Sequence, residues 1–370
     1  MSDQPSKQPS NQPSEQKIRA VLAQIAEPNM GTDIVSAEVV EAVHCNAEGA
    51  EITLAFPYAA ASAFAGIVAA ARAKLAGQGL GEARFSMRID VHAHTVQGGV
   101  ERLPGVKNII AVASAKGGVG KSTTAANLAL ALAHEGATVG LLDADIYGPS
   151  LPVMLGVRER PQGSEDGGIA PLRAHGLQLM SIGFVVEEEQ PMVWRGPMAT
   201  RALVQLLRDT RWQAVDYLVL DMPPGTGDIQ LTIAQQIPVT GALVVTTPQE
   251  LAVADARRGL VMFNKVSIPV LGVVENMSRY HCPQYGHESP LFGEGGGAAM
   301  CKAHEVELLG QLPLHRGIRE AADGGAPSVA AEPEGDIARS YRRIAVRAAA
   351  KIAAKSRDRS AAFPKIVVSD

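Results

Sequence analysis

Apolar residues along this chain gather in short β-branched runs, separated by alanine-rich stretches of helical spacing. Ile109–Ala113, Ala137–Leu142, Val215–Asp221, Gly241–Thr246 and Val266–Glu275 read as buried strands, because their apolar positions are continuous rather than alternating. Between them Thr123–His134, Met198–Arg208 and Glu250–Asn264 carry helical patterns, and Ile169–Ile182 reads as a hairpin. Leu308–His315 predicts a last strand and Ile318–Asp323 a short helix. Asp336–Ala354 predicts an amphipathic helix with Ile337, Tyr341, Ile344, Ala348 and Ile352 along one side. Strands alternating with helices predict an α/β fold, a doubly wound and mostly parallel sheet with its ligand at the carboxyl ends of the strands.

A smaller α/β domain is predicted ahead of this sheet. Its pattern gives a helix at Ile18–Ile25, strands at Ile34–Val43 and Glu51–Phe56, an alanine-rich helix at Ala60–Leu75 and a strand at Ala83–Val91. Residues 1–16 are Pro, Ser, Gln and Asn with almost nothing apolar, which predicts a disordered tail. The Gly/Pro stretch 97–107 reads as a linker. The expected domains are therefore 17–96 and 108–356, with a tail at 357–370. His92 and His94 alternate near the first domain's end and read as surface residues rather than metal ligands.

The chemistry concentrates where Ile109–Ala113 gives way to Ala115, Lys116, Gly117, Gly118, Val119, Gly120, Lys121, Ser122 and Thr123. A β-branched run, then glycines, then a helix start is a phosphate-binding loop: backbone N–H groups and the helix dipole point at one anion. Lys121 is placed to reach the β- and γ-phosphates, and the Ser122 hydroxyl to ligate Mg²⁺. Ala115 stands where the first glycine of the usual pattern is expected.

Lys116, inside the loop, makes this stretch resemble the deviant Walker A motif of the family of the cell-division regulator MinD, the partition ATPase ParA and the nitrogenase iron protein. The resemblance implies a homodimer with ATP at its interface and Lys116 reaching the partner's nucleotide. It identifies the acidic strand end DADIYGPSLP as switch I, in which Asp145 orients the attacking water and Asp143 supports the loop or the magnesium. In VDYLVLDMPPGTGD, Asp221 takes the Walker B position, its carboxylate in the second shell of Mg²⁺, and Gly225 lies in switch II, where its N–H reports the γ-phosphate. Asn276 is implied to hydrogen-bond the adenine.

Two further stretches narrow the resemblance. EPNMGTDIVSAEVV, through Pro28 and Asp33-Ile34-Val35, resembles the start of the small MIP18-type domain of iron-sulfur assembly proteins, with Asp33 as a turn cap the alternative. ENMSRYHCPQYGHESPLFGEGGG, Glu275 to Gly297, resembles the Mrp/ApbC/NBP35 group of cluster-carrier ATPases, which read ENMS, then CxxC, then FG-x-GG. There two cysteines from each subunit hold a bridging [4Fe-4S] cluster. Cys282 takes the first ligand position, but Tyr285 replaces the second cysteine. Three outcomes stay open: His281 or His287 completes the site, Cys301 replaces the missing ligand, or stable cluster binding is lost.

The implied protein is an ATP-hydrolysing homodimer that delivers iron-sulfur clusters to apo-proteins. The alternative is a MinD/ParA-type positioning ATPase acting on a membrane or on DNA. Net charge is -4 and gives no call for nucleic acid. Three scattered cysteines make no disulfide framework, and the N-terminal residues lack the basic and apolar regions of a signal peptide. A cytoplasmic protein without stable membrane association is expected, its basic C-terminal helix packing on the domain because the apolar face is poor in Phe, Leu and Trp.

Overall fold

The computed structural model describes residues 14–46, 49–164, 167–185, 196–282 and 284–357. They form two compact units, one up to Asp90 and one from Val91 onward. The tails expected at 1–16 and 357–370 lie outside the described residues except for 14–16 and 357.

The first unit opens with α1 (Glu15–Leu22), which starts three residues before the predicted Ile18 because the Ser14 hydroxyl accepts from the Lys17 N–H and caps it. β1 (Val40–Asn46) and β2 (Gly49–Phe56) pair antiparallel, and α2 (Phe64–Gly77) carries the chain to β3 (Ala83–Ile89), parallel to β2. Ile52, Leu54 and Phe56 alternate inward and are buried, as are Ile18, Leu22, Ile67 and Ala71 of the two helices. The predicted strand at Ile34–Val43 forms only from Val40. Upstream of it the Asp33 carboxylate accepts from the Val35 and Ser36 N–H groups at 2.8 and 2.9 Å, which binds Asp33-Ile34-Val35 into a turn instead of a ladder. The buried Glu27 carboxylate fixes the preceding turn, accepting from the Asn29 and Met30 N–H groups and the Tyr58 hydroxyl.

The second unit is an eight-stranded sheet. In chain order its elements are β4 (Val106–Ala113), α3 (Lys121–His134), β5 (Val139–Asp143), α4 (Leu151–Met154), β6 (Leu172–Ala174), β7 (Leu177–Ser181), α5 (Gly196–Asp209), β8 (Val215–Asp221), α6 (Asp228–Gln236), β9 (Gly241–Thr246), α7 (Glu250–Lys265) and β10 (Val270–Glu275). A two-stranded ribbon follows, β11 (Tyr280–His281) with β12 (Glu288–Ser289), then α8 (Gly296–Ala303), β13 (Leu308–Gln311), α9 (Arg316–Asp323), α10 (Ser328–Ala331) and α11 (Asp336–Ala353). The strand order is β13-β10-β9-β4-β8-β5-β7-β6, parallel except for β6. This is the doubly wound, mostly parallel α/β sheet expected. β6 and β7 turn through His175 and Gly176, both at positive φ, as a two-residue hairpin of the I′ type requires.

Several boundaries move for local reasons. β10 starts at Val270 rather than Val266, because Val266 and Ile268 donate back to the last turn of α7. β13 ends at Gln311 rather than His315, and β3 at Ile89 rather than Val91. His94 is buried, not exposed, and shares a hydrogen bond of 3.2 Å with Asn108 Oδ1; burial lowers its pKa.

α11 packs along α3 and β13 through Tyr341, Ile344, Ala345, Ala348 and Ile352, all buried. Gly310 lets it approach, since a Cβ there would lie 2.6 Å from Ile344. At its outer edge Arg342 donates to the Glu135 carboxylate at 2.8 Å, the two side chains being 16% and 0% exposed. Among the described residues no helix is long and apolar enough to cross a membrane. Arg342→Ala removes the guanidinium that offsets a buried carboxylate and is expected to destabilise this unit by about 3 kcal/mol, read from a urea denaturation midpoint. An unchanged midpoint would contradict the role given to that pair.

Candidate functional site

The strand order sets β4 between β9 and β8, with β5 beyond β8, so three loops leave the same edge of the sheet side by side. Val112 and Asp143 both stand opposite Asp221 in register, which brings the phosphate loop and two acidic strand ends together. Gly118 and Gly120 adopt φ of 78° and 83°, and α3 starts at Lys121 immediately after them. The loop thus turns back over the positive end of the helix that follows it. Ala115, the departure from the usual motif, is half-buried in this loop, while Lys116, Gly117 and Gly118 are exposed.

Lys121 is only 6% exposed. Its ammonium lies 2.6 Å from Asp221 Oδ1, 3.1 Å from Ser122 Oγ and 3.9 Å from Asp145 Oδ2. Asp143 faces the other way: its carboxylate accepts from the backbone N–H groups of Asp145, Ser150 and Leu151 at 3.0–3.1 Å and ties down the loop after β5. Burial, and then the charge of Asp221, push the Asp143 carboxyl up to about 7. Burial raises Asp221 and Asp145 as well, opposed in each by Lys121. Two carboxylates, Asp221 and Asp145, approach one lysine, so negative charge is in excess at a largely buried site.

The donor set suits a magnesium ion. Ser122 and Asp221 offer a hydroxyl and a carboxylate, hard oxygen donors, and Oδ2 of Asp221 is buried with no hydrogen-bond partner among the described residues. The Lys121 ammonium already sits as a cation between those same two side chains.

Gly225 and Asn276 are held in contacts of their own. The Gly225 N–H donates to the Ser114 carbonyl at 2.8 Å, with φ of 110°. The Asn276 amide donates to the Val119 carbonyl at 2.9 Å and lies so close that a Cβ on Gly120 would be 2.2 Å from its Nδ2. Asn276 therefore braces the phosphate loop. Gln230 was not singled out by sequence. Its side chain accepts from the Gly227 N–H at 3.0 Å and donates to the Pro224 carbonyl, clamping the turn between β8 and α6. The signal was available, since a glutamine as the third residue of a helix, three after its N-cap, is half of a capping box.

Cys282 stands apart from this cluster, half-exposed at the end of the β11–β12 ribbon. Tyr285 in the ribbon's turn is 83% exposed. Cys301 lies buried on α8, its thiol pushed up to about 11 by burial and by the charge of Glu275, so it is held as a neutral thiol away from solvent.

Residues 105–349 match the family of NUBPL iron-transfer P-loop NTPases, and residues 15–92 match the iron-sulfur cluster assembly protein family. The chain belongs to the NUBPL iron-transfer P-loop NTPase family. Among its relatives, the iron-sulfur cluster carrier protein of Escherichia coli K12 is 59% identical over 249 residues, 67% of this chain and 68% of that protein. The iron-sulfur cluster transfer protein NUBPL of Mus musculus is 50% identical over 245 residues, 66% of this chain and 77% of that protein. A nucleotide-binding protein of Archaeoglobus fulgidus, solved with ADP, is 36% identical with a TM-score of 0.54, covering 64% of this chain and 92% of its own. The cell division ATPase MinD of Pyrococcus furiosus shares the fold, at 24% identity and a TM-score of 0.51 over 64% of this chain and 96% of its own.

The second unit thus buries, opposite Asp221, a carboxyl that burial pushes up to about 7. The native pKa of Asp143 lies above its ordinary value of 3.8, so the folded state keeps this proton between 3.8 and about 7. The stability it contributes is present at low pH and is lost as pH rises through that window. Carbon NMR of labelled aspartates in the nucleotide-free protein is expected to show one carboxyl titrating near 7, absent from Asp143→Asn. An ordinary midpoint for Asp143 would contradict the burial argument.

Proposed function

We propose that this chain is a homodimeric ATPase that carries an iron-sulfur cluster and passes it to apo-proteins. The family supports a P-loop NTPase, and the names of its relatives favour cluster transfer over positioning on a membrane or on DNA. The observation that carries the reading is a continuity of chain. Asn276, at the end of β10, grips the phosphate loop, and the residues directly after it lead into the ribbon that presents Cys282. A contact to the phosphate loop and the Cys282 thiol thus lie on one short segment, which supports the reading.

In this reading ATP lies along the loop Ala115–Thr123, its phosphates facing the N–H groups of Gly117, Gly118 and Gly120 and the start of α3. Lys121 exchanges its carboxylate partners for the β- and γ-phosphates, so an interaction already formed inside the protein is replaced by one to substrate. Ser122 and Asp221 would hold magnesium, which supplies positive charge to the phosphates as charge develops on them. Asp145, beside the lysine and partly open to solvent, accepts a hydrogen bond from the attacking water and orients it. The Gly225 N–H gives up the Ser114 carbonyl for the γ-phosphate. Lys116, exposed, reaches toward the nucleotide of a second copy. The cluster is cargo, held between the Cys282 segments of two copies and released when ATP turnover changes their approach. The cell's interior is the compartment this chemistry suits, since free thiols and iron clusters persist where reductant is supplied.

Lys121→Ala is expected to abolish phosphate release from ATP, a loss of at least about 10³-fold, by removing a charge that the transition state needs and leaving Asp221 without its partner. Iron and sulfide reconstitution under anaerobic conditions is expected to load the wild type and leave Cys282→Ala colourless. Normal turnover in the first variant, or an equal iron content in the second, would sink the corresponding half of the reading.

A further inference from the structure

The cluster carried at Cys282 needs more ligands than the two thiolates that a pair of copies supplies, because Tyr285 holds the position of the other cysteine. Among the described residues of one chain, no group of three His, Cys, Asp or Glu is placed to hold a metal. The site is therefore incomplete in a single copy, and its remaining donors must come from the neighbourhood of Cys282 itself.

The ribbon decides which ones. Tyr280 pairs with Ser289 and His281 with Glu288, so Cys282 and His287 form the next opposed pair. A hydrogen bond of 2.9 Å from the Cys282 N–H to the His287 carbonyl closes that pair. Directly opposed residues of an antiparallel pair project from the same face with Cβ atoms about 5 Å apart, and successive pairs alternate faces. The pair before shows the rule at work: His281 Nδ1 and Glu288 Oε1 approach to 3.9 Å. Cys282 and His287 share the opposite face. His281, next to Cys282 in sequence, points away from it.

The ribbon is also held in place. Arg279 at its base pairs with Glu288 at 3.8 Å and with Glu294, and its carbonyl accepts from the Leu314 N–H at 2.8 Å. Ser278 is tied to the Leu312 carbonyl through both its N–H, at 2.9 Å, and its hydroxyl, at 3.0 Å. Cys301, the other candidate donor, is buried on α8 as a neutral thiol.

We propose that His287 is the second cluster ligand of each copy, so that two copies bind a [2Fe-2S] cluster through two Cys282 thiolates and two His287 imidazoles. This rests on the carrier reading above and names its site. The donor set matches the mixed cysteine and histidine ligation that two-iron clusters accept, and four thiolates of a four-iron site are not at hand. Each Cys282 thiol loses its proton to solvent as it binds iron, while each imidazole binds as the neutral base. Two thiolates cancel the charge of the oxidised two-iron, two-sulfide core, whereas four would leave it doubly negative. A neutral cluster at an exposed ribbon is more readily given up to an acceptor with more thiolates, which is what a carrier requires.

The test uses the full chain, reconstituted anaerobically with ferric iron and sulfide, then reduced by one electron with dithionite and examined by pulsed EPR for nitrogen coupling. Wild type is expected to hold about two irons per dimer with strong histidine nitrogen coupling. His287→Ala should fall to the iron content of Cys282→Ala, His281→Ala should keep both iron and coupling, and His287→Cys should bind a cluster whose nitrogen coupling is gone. A wild-type cluster without nitrogen coupling, or one that survives His287→Ala, overturns the assignment and leaves the carrier reading intact. A wild type that takes up no iron overturns both.

Discussion

Everything at the carboxyl edge of the second unit's sheet depends on one buried cation. Lys121 is nearly without solvent, 2.6 Å from a fully buried Asp221, and neither charge would be tolerated there alone. The sheet brings them together because β4 and β8 are neighbours. A phosphate loop of this kind is poised. Its lysine is already desolvated, so substrate phosphates replace one set of anionic partners by another instead of stripping a hydrated ammonium.

The same economy appears in the groups around it. Gly225, Asn276 and Gln230 each make a hydrogen bond within or next to the switch segments, so their polar atoms are satisfied before any ligand arrives. Binding can then proceed by exchange of partners. Asn276 is the informative member, because the strand end it belongs to continues into Ser278, Arg279 and the Cys282 ribbon. Asn276 thereby ties the phosphate loop to the strand end on which that ribbon stands.

The sequence was most legible where one local rule suffices. Continuous apolar runs named the buried strands, and the glycines before Lys121 named the loop, because strand burial and left-handed turns each leave a residue-level mark. Legibility failed where a side chain competes with the backbone for hydrogen bonds. Asp33 turned a predicted strand into a turn, and the last turn of α7 took residues assigned to β10. It failed again for His94, which looks like a surface histidine until Asn108 is found opposite it in the core.

By itself the sequence determined the fold class, the phosphate loop, the acidic strand ends and the presence of a single cysteine where its resembled family has two, since all of these are properties of residue type and spacing. Tertiary structure decided what spacing cannot. It set Asp143 to brace a loop and Asp221 to face Lys121, although both end acidic strands, because strand order and register choose the neighbour of each carboxylate. It also set His287 across the ribbon from Cys282, whose N–H donates to the His287 carbonyl, while His281 pairs with Glu288. Adjacent residues of a strand point to opposite sides, and only a partner strand brings distant ones to the same side.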